Sequence, residues 1–154
     1  KYSYRAVAAG HAAIEENIDL STIHQYKEVE KDLYLSKLKV GEVIKLNNVF
    51  FELGKFDLLP ASYPTLGRLA TMLKMNANMI IQLDGHTDNI GNPSLNIELS
   101  KQRVESVKTY LMNQGISSDR LETKGYGGEK PIASNANEST RKLNRRVEFT
   151  ILRN

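Results

Sequence analysis

The 154-residue sequence has no cysteine. That excludes disulfides, a thiol nucleophile and any cysteine-ligated metal. It leaves the compartment open, because a reducing cytosol and a periplasm both tolerate such a chain. Long hydrophobic runs are missing as well. No stretch approaches the roughly 18 apolar residues of a membrane-crossing helix, so the chain is not expected to span a membrane. Histidines number three, at 11, 24 and 86, scattered without ligand spacing, so neither a metal nor a cofactor is expected. Aromatics are 7% of residues and do not interleave with basic ones, which argues against nucleic-acid binding. Net charge is only +3. The densest basic cluster is Arg141, Lys142, Arg145 and Arg146, a hint of an anionic partner. No signal-peptide pattern is visible from Lys1, so the chain reads as a mature fragment or a piece of something longer.

Hydrophobic residues make up 40% of the chain, enough for a packed core. Residues 1–40 differ from the rest. "YSYRAVAA" alternates with period 2, as a strand does. "KDLYLSKL" (31–38) is a second candidate strand, and 15–30 between them carries no assignment. Two strands bury too little to stand alone. Residues 1–40 are therefore expected to be an N-terminal extension, packed on the main domain or ending a preceding β domain, with 41–154 as that main domain.

From Val43 the pattern is regular. Strands are expected at 43–51, 79–85, 121–127 and 145–152. Leu66, Leu69, Ala70 and Leu73 recur at helical spacing behind Pro64. A second, longer helix is expected over about 94–114, stopped by Gly115. "GGEKPIASNANEST" reads as a loop. The order β-α-β-α-β-β implies an α+β (α/β sandwich) fold, helices packed on one face of a mixed sheet.

The long helix contains an anomaly. At about 100° per residue, with Leu99 at zero, Arg103 falls near 40°, between Tyr110 near 20° and Val107 near 80°. A guanidinium among apolar side chains stays charged and needs an anion or several acceptors. A structural salt bridge, or an Arg snorkelling at the sheet edge, is one answer. A ligand is the other. Asp88 lies just past the strand that precedes this helix, where loops of α/β sheets gather ligands. Acid and base can then face one cleft from two sides. In the last strand Val147, Phe149 and Ile151 share a face, Arg146, Glu148 and Thr150 the other, and Arg145 has the parity of the apolar set.

These residues carry a resemblance. "GHTDNIG....NIELSKQRVESVKTYLMNQGI", followed by "R....GYGGEKPIASN....R..NRRVEF", resembles the OmpA-like C-terminal domain of outer-membrane proteins, lipoproteins and flagellar stators. The likeness runs from about Val43 to Arg153. It implies a β-α-β-α-β-β sandwich and non-covalent binding of the peptidoglycan stem peptide, with a diaminopimelate end held between an acid and a base. The corresponding residues are Asp88 and Arg103, with Arg145 as the first Arg of the NRR run. Asn96 and Leu99 match pocket positions, Thr87 neighbours the acid, and Phe51, with Phe50 as the second choice by register, matches the end of the first strand. Pro60 and Ala61 stand where many relatives have polar residues, so this loop is expected to offer backbone contacts only. The implied setting is the periplasm, anchoring a larger outer-membrane or envelope protein or complex to the cell wall. Residues 1–40 lie outside this resemblance. They are similar to the closing strands of a carboxypeptidase-regulatory-type β-sandwich, which precedes such modules in some Bacteroidetes envelope proteins.

Two other classes fit the sequence less well. A cell-wall hydrolase or amidase needs ligands or a nucleophile, and His86 with Asp88 lacks a nucleophile elbow. His86 reads instead as satisfying hydrogen bonds in its loop. A protein-interaction domain without peptidoglycan binding is opposed by the joint presence of Asp88, Arg103 and Arg145.

Overall fold

A computed structural model describes residues 2–6, 8–11, 14–18 and 36–154. The chain divides into two compact units, Lys1–Leu38 and Lys39–Asn154. In the first, β1 (Tyr2–Ala6) pairs antiparallel with β2 (Ile14–Ile18), Tyr4 opposite Glu16. β1 is the strand its alternation predicts, and β2 arises from the stretch left unassigned. Most of the strand expected over 31–38 lies outside the described residues. Lys37 forms a bridge to His11.

The second unit holds β3 (Val43–Leu46), α1 (Tyr63–Met75), β4 (Ile80–His86), α2 (Pro93–Asn113), β5 (Leu121–Gly125), α3 (Glu138–Arg141) and β6 (Arg146–Arg153). The sheet order is β3-β6-β4-β5. β4 and β5 run parallel, as strands joined through a helix do. β6 enters between β3 and β4, antiparallel to both. This is the mixed α+β sheet expected. The strand expected over 43–51 ends at Leu46, and the loop after β5 contains α3.

Register puts Ile81, Leu83 and Gly85 of β4 beside Ile151, Phe149 and Val147 of β6. These face the helices: Ile81, Leu83, Val147, Phe149 and Ile151 are buried, with Leu66, Leu69, Ala70 and Leu73 of α1. Burying one such aliphatic side chain contributes roughly 1.5–3 kcal/mol. α1 ends where Arg120 donates to the Leu73, Asn76 and Met79 carbonyls, a cation at the negative end of a helix.

α2 starts at Asn92, whose side-chain oxygen accepts from the Ser94 and Leu95 amides, with Pro93 in the first turn. Gly115, at φ +88°, ends it, as predicted. Its buried residues are Ser100, Val104, Val107 and Leu111. Ser100 belongs there because the strands beneath present glycine. A Cβ on Gly85 would collide with the Ser100 carbonyl, and one on Gly125 would stand 2.5 Å from the Lys101 amide. The Ser100 hydroxyl accepts from the Gly127 amide and donates to the Ile97 carbonyl. This close approach sets how far from the sheet Arg103 projects.

Candidate functional site

The buried arc of α2 centres on Ser100 and Val104, so Arg103 lies at its edge, half-buried. Its guanidinium sits 5.0 Å from the centre of the Phe51 ring, within cation–π range. Nε donates to the Lys55 carbonyl at 3.0 Å. The 50–59 loop is folded to deliver that carbonyl. Phe51 bridges to Leu58, Gly54 adopts φ +69°, and the Leu59 amide donates to the Phe50 carbonyl. The fully buried Ser62 holds Phe50 through both its amide and its carbonyl. The loop thus meets Arg103 through one backbone carbonyl and one aromatic side chain.

No carboxylate among the described residues lies within ion-pair distance of Arg103. Burial pulls its pKa down, neighbouring Arg145 adds to this, and Asp88 pulls the other way. The guanidinium remains charged, partly dehydrated and repelled by a second cation, which is the condition an incoming anion relieves.

Asp88 is differently placed. Its Oδ2 accepts from Arg145 Nη1 at 2.8 Å, and Arg141 Nε stands 4.0 Å away. Its Oδ1 accepts from the Ile90 amide. Arg145 also meets Glu138, Nη2 to Oε1 at 2.5 Å, and Glu138 in turn accepts from Arg141 at 2.8 Å. Glu138 and Asp88 together raise the Arg145 pKa. The two guanidiniums, Arg145 first, hold the Glu138 carboxyl down to about 2.

A cleft of about 640 Å³ joins these parts, lined by Phe50, Phe51, Arg103, Lys142, Arg145 and His86 among others. Of the sequence-derived site residues it gathers Phe51, Arg103 and Arg145. Asp88 is off its wall and reaches it through Arg145. Thr87, Asn96 and Leu99 are off it too. Thr87 is buried and donates to the Asp88 carbonyl. The Asn96 amide donates to the Ile90 and Asp88 carbonyls. These two fix the Asp88 loop. Leu99 is half-buried on α2.

Three expectations are corrected. Arg145 precedes β6 instead of opening it, and its side chain is part-exposed, so strand parity does not apply to it. Its neighbour Arg146 is the buried one, 7% exposed and held by Glu148 at 2.6 Å. His86 belongs to β4 rather than to a loop. It is 3% exposed, and neither ring nitrogen makes a hydrogen bond to the described residues. Its ring stacks on Tyr126 at 5.2 Å, with Glu148 Oε2 3.4 Å from Nε2. Burial, then Arg146, lowers its pKa to about 4. Sequence reasoning missed Glu138, Lys55 and Ser100. The Asn137 cap before Glu-Ser-Thr-Arg, whose side chain accepts from the Thr140 amide, was a readable sign of a short helix there.

A mixed sheet with helices on one face and a basic cleft where β4 gives way to α2 defines an α+β binding module. The chain belongs to the OmpA family, whose model matches residues 50–145. It is 43% identical over 95 residues to the peptidoglycan-binding protein ArfA of Mycobacterium tuberculosis, covering 62% of this chain and 29% of that protein. The probable lipoprotein YiaD of Escherichia coli is 40% identical over 105 residues, covering 68% and 48%. Among solved structures, the peptidoglycan-associated lipoprotein of Burkholderia pseudomallei superposes with a TM-score of 0.60 at 25% identity, covering 71% of this chain and 88% of that one. The chain thus spans less than half the length of these two curated relatives.

Proposed function

We propose that the chain is a peptidoglycan-binding module that grips the diaminopimelate end of a stem peptide and so ties a larger envelope protein to the cell wall from the periplasm. The observation that carries this reading is Arg103: a half-buried guanidinium stacked over Phe51, held by one backbone carbonyl, with no carboxylate partner among the described residues. The names of the relatives, a peptidoglycan-binding protein and a peptidoglycan-associated lipoprotein, support the same substrate.

Diaminopimelate offers a carboxylate and an ammonium on one carbon. Arg103 takes the carboxylate through its terminal nitrogens, a charge-assisted contact. Asp88 attracts the ammonium, and Arg145 adds a second contact to the ligand's anionic side. Phe51 forms the floor beneath Arg103, Thr87 and Asn96 hold the Asp88 loop, and Leu99 contributes apolar surface beside it. In this reading the chain binds without turnover, and residues 1–40 are a separate extension with no part in the grip. Incubation with purified sacculi tests it. Co-sedimentation without release of soluble fragments supports binding; release of fragments, or no sedimentation, contradicts it.

A further inference from the structure

We infer that Glu138 is a specificity-determining residue of the proposed site, one that neutralises Arg145 and Arg141 so that Asp88 keeps its attraction for a ligand ammonium, favouring zwitterionic over purely anionic ligands. The inference rests on the peptidoglycan reading above. It starts from a closed ring of charges. Asp88 meets Arg145 at 2.8 Å and Arg141 at 4.0 Å. Glu138 meets Arg145 at 2.5 Å and Arg141 at 2.8 Å. Two guanidiniums and two carboxylates sum to zero, and Arg103 stands outside the ring.

Removing Glu138 from that sum leaves one carboxylate between two guanidiniums, a net positive group. An ammonium approaching Asp88 would then meet repulsion, while a lone carboxylate would meet added attraction. Glu138 therefore acts on the ligand through Arg145 and Arg141, as a positioning residue. Its placement is fixed rather than incidental. It is the first residue of α3, and the Asn137 cap anchors that turn through the Thr140 amide at 3.0 Å. Its carboxylate is kept ionised by its two partners. Arg145 is also denied to the ligand along one edge, since Nη2 is turned to Glu138. The ligand carboxylate is thereby directed to Arg103, whose Nη groups make no hydrogen bond to the described residues.

The test compares two tripeptides, L-Ala-γ-D-Glu-meso-diaminopimelate and the same peptide with 2-aminopimelate, which keeps the distal carboxylate and lacks the distal ammonium. Each is titrated against the natural chain, Glu138→Gln and Glu138→Asp. The natural chain should prefer diaminopimelate. In Glu138→Gln that preference should fall roughly three- to fivefold, the size of a part-exposed charge interaction, and Glu138→Asp should keep most of it. An equal loss for both peptides in Glu138→Gln, or an unchanged preference, overturns the inference and leaves the peptidoglycan reading standing. Failure of the natural chain to bind either peptide overturns both.

Discussion

Arg145 donates to Asp88 at 2.8 Å across 57 positions of sequence, and Arg103, on the helix that Asp88's own loop feeds, does not pair with Asp88 at all. The acid therefore has an internal ion-pair partner, and the helix cation has no carboxylate partner among the described residues, only the Lys55 carbonyl and the Phe51 ring. This inverts the simplest picture of an empty acid–base pocket. Asp88 serves two roles, joining the 88–90 loop to the α3 segment and supplying negative charge beside the cleft.

Asp88→Asn separates these roles. The side-chain oxygen that accepts from the Ile90 amide is kept and the charge is lost. The pair with Arg145 is partly exposed, so its loss should cost about 1 kcal/mol or less of stability. Affinity for a diaminopimelate tripeptide should fall by more than that, because two guanidiniums then face the ligand ammonium. Thermal melts and titrations on one sample decide it. A variant that melts much lower yet binds normally at low temperature would assign Asp88 to structure alone.

His86 makes stability depend on acid. Its pKa is about 4 when folded and 6.5 when free. The unfolded chain therefore binds the extra proton first as pH falls. Stability from this group is complete above about 6.5 and is lost between 6.5 and 4, at about 1.4 kcal/mol for each pH unit crossed. Denaturant melts at pH 7 and pH 5 measure it, and His86→Phe should flatten that interval. An equally steep loss in His86→Phe would move the cause away from His86.

Gly125→Ala tests the contact that places α2. The new Cβ would meet the Lys101 amide and the Ile97 carbonyl, both backbone, so the helix must move. Overpacking of this kind costs about 1–3 kcal/mol. Urea unfolding should show the loss, and ligand affinity should drop with it because Arg103 rides on α2. Full stability with unchanged affinity would mean that the approach of helix to strand is slack.

A chain beginning at Lys39 should fold and sediment with sacculi. The unit Lys39–Asn154 has its own sheet and helices, and every proposed contact lies after residue 50. Insolubility, or loss of sedimentation, would make residues 1–38 part of the module.

Much of the fold was legible because its signals are periodic. Leu66 to Leu73 announce α1 by spacing, Gly115 announces the end of α2, and the alternation of Val147, Phe149 and Ile151 gives the buried face of β6. Arg103 was legible as an anomaly for the same reason. What escaped depends on contacts between distant segments. Ser100 shares the apolar arc of α2, yet a hydroxyl there makes sense only once Gly85 and Gly125 are known to lie beneath it. Arg145 and Arg146 are adjacent and alike in sequence, and only the start of β6 decides which is buried. His86 looked like a loop residue because the strand was expected to end one residue earlier. Glu138 sits in a stretch rich in Ser and Asn, where composition favours a loop and a four-residue helix leaves little periodic trace.

The most direct test of the central claim is calorimetric titration of the natural chain and of Arg103→Ala with the tripeptide L-Ala-γ-D-Glu-meso-diaminopimelate. The account predicts saturable binding to the natural chain. It also predicts a loss of roughly 2–5 kcal/mol in Arg103→Ala, which retains a cooperative melt because Arg103 has no ion pair among the described residues to lose. Equal affinity in the two proteins, or no binding to the natural chain, would contradict it.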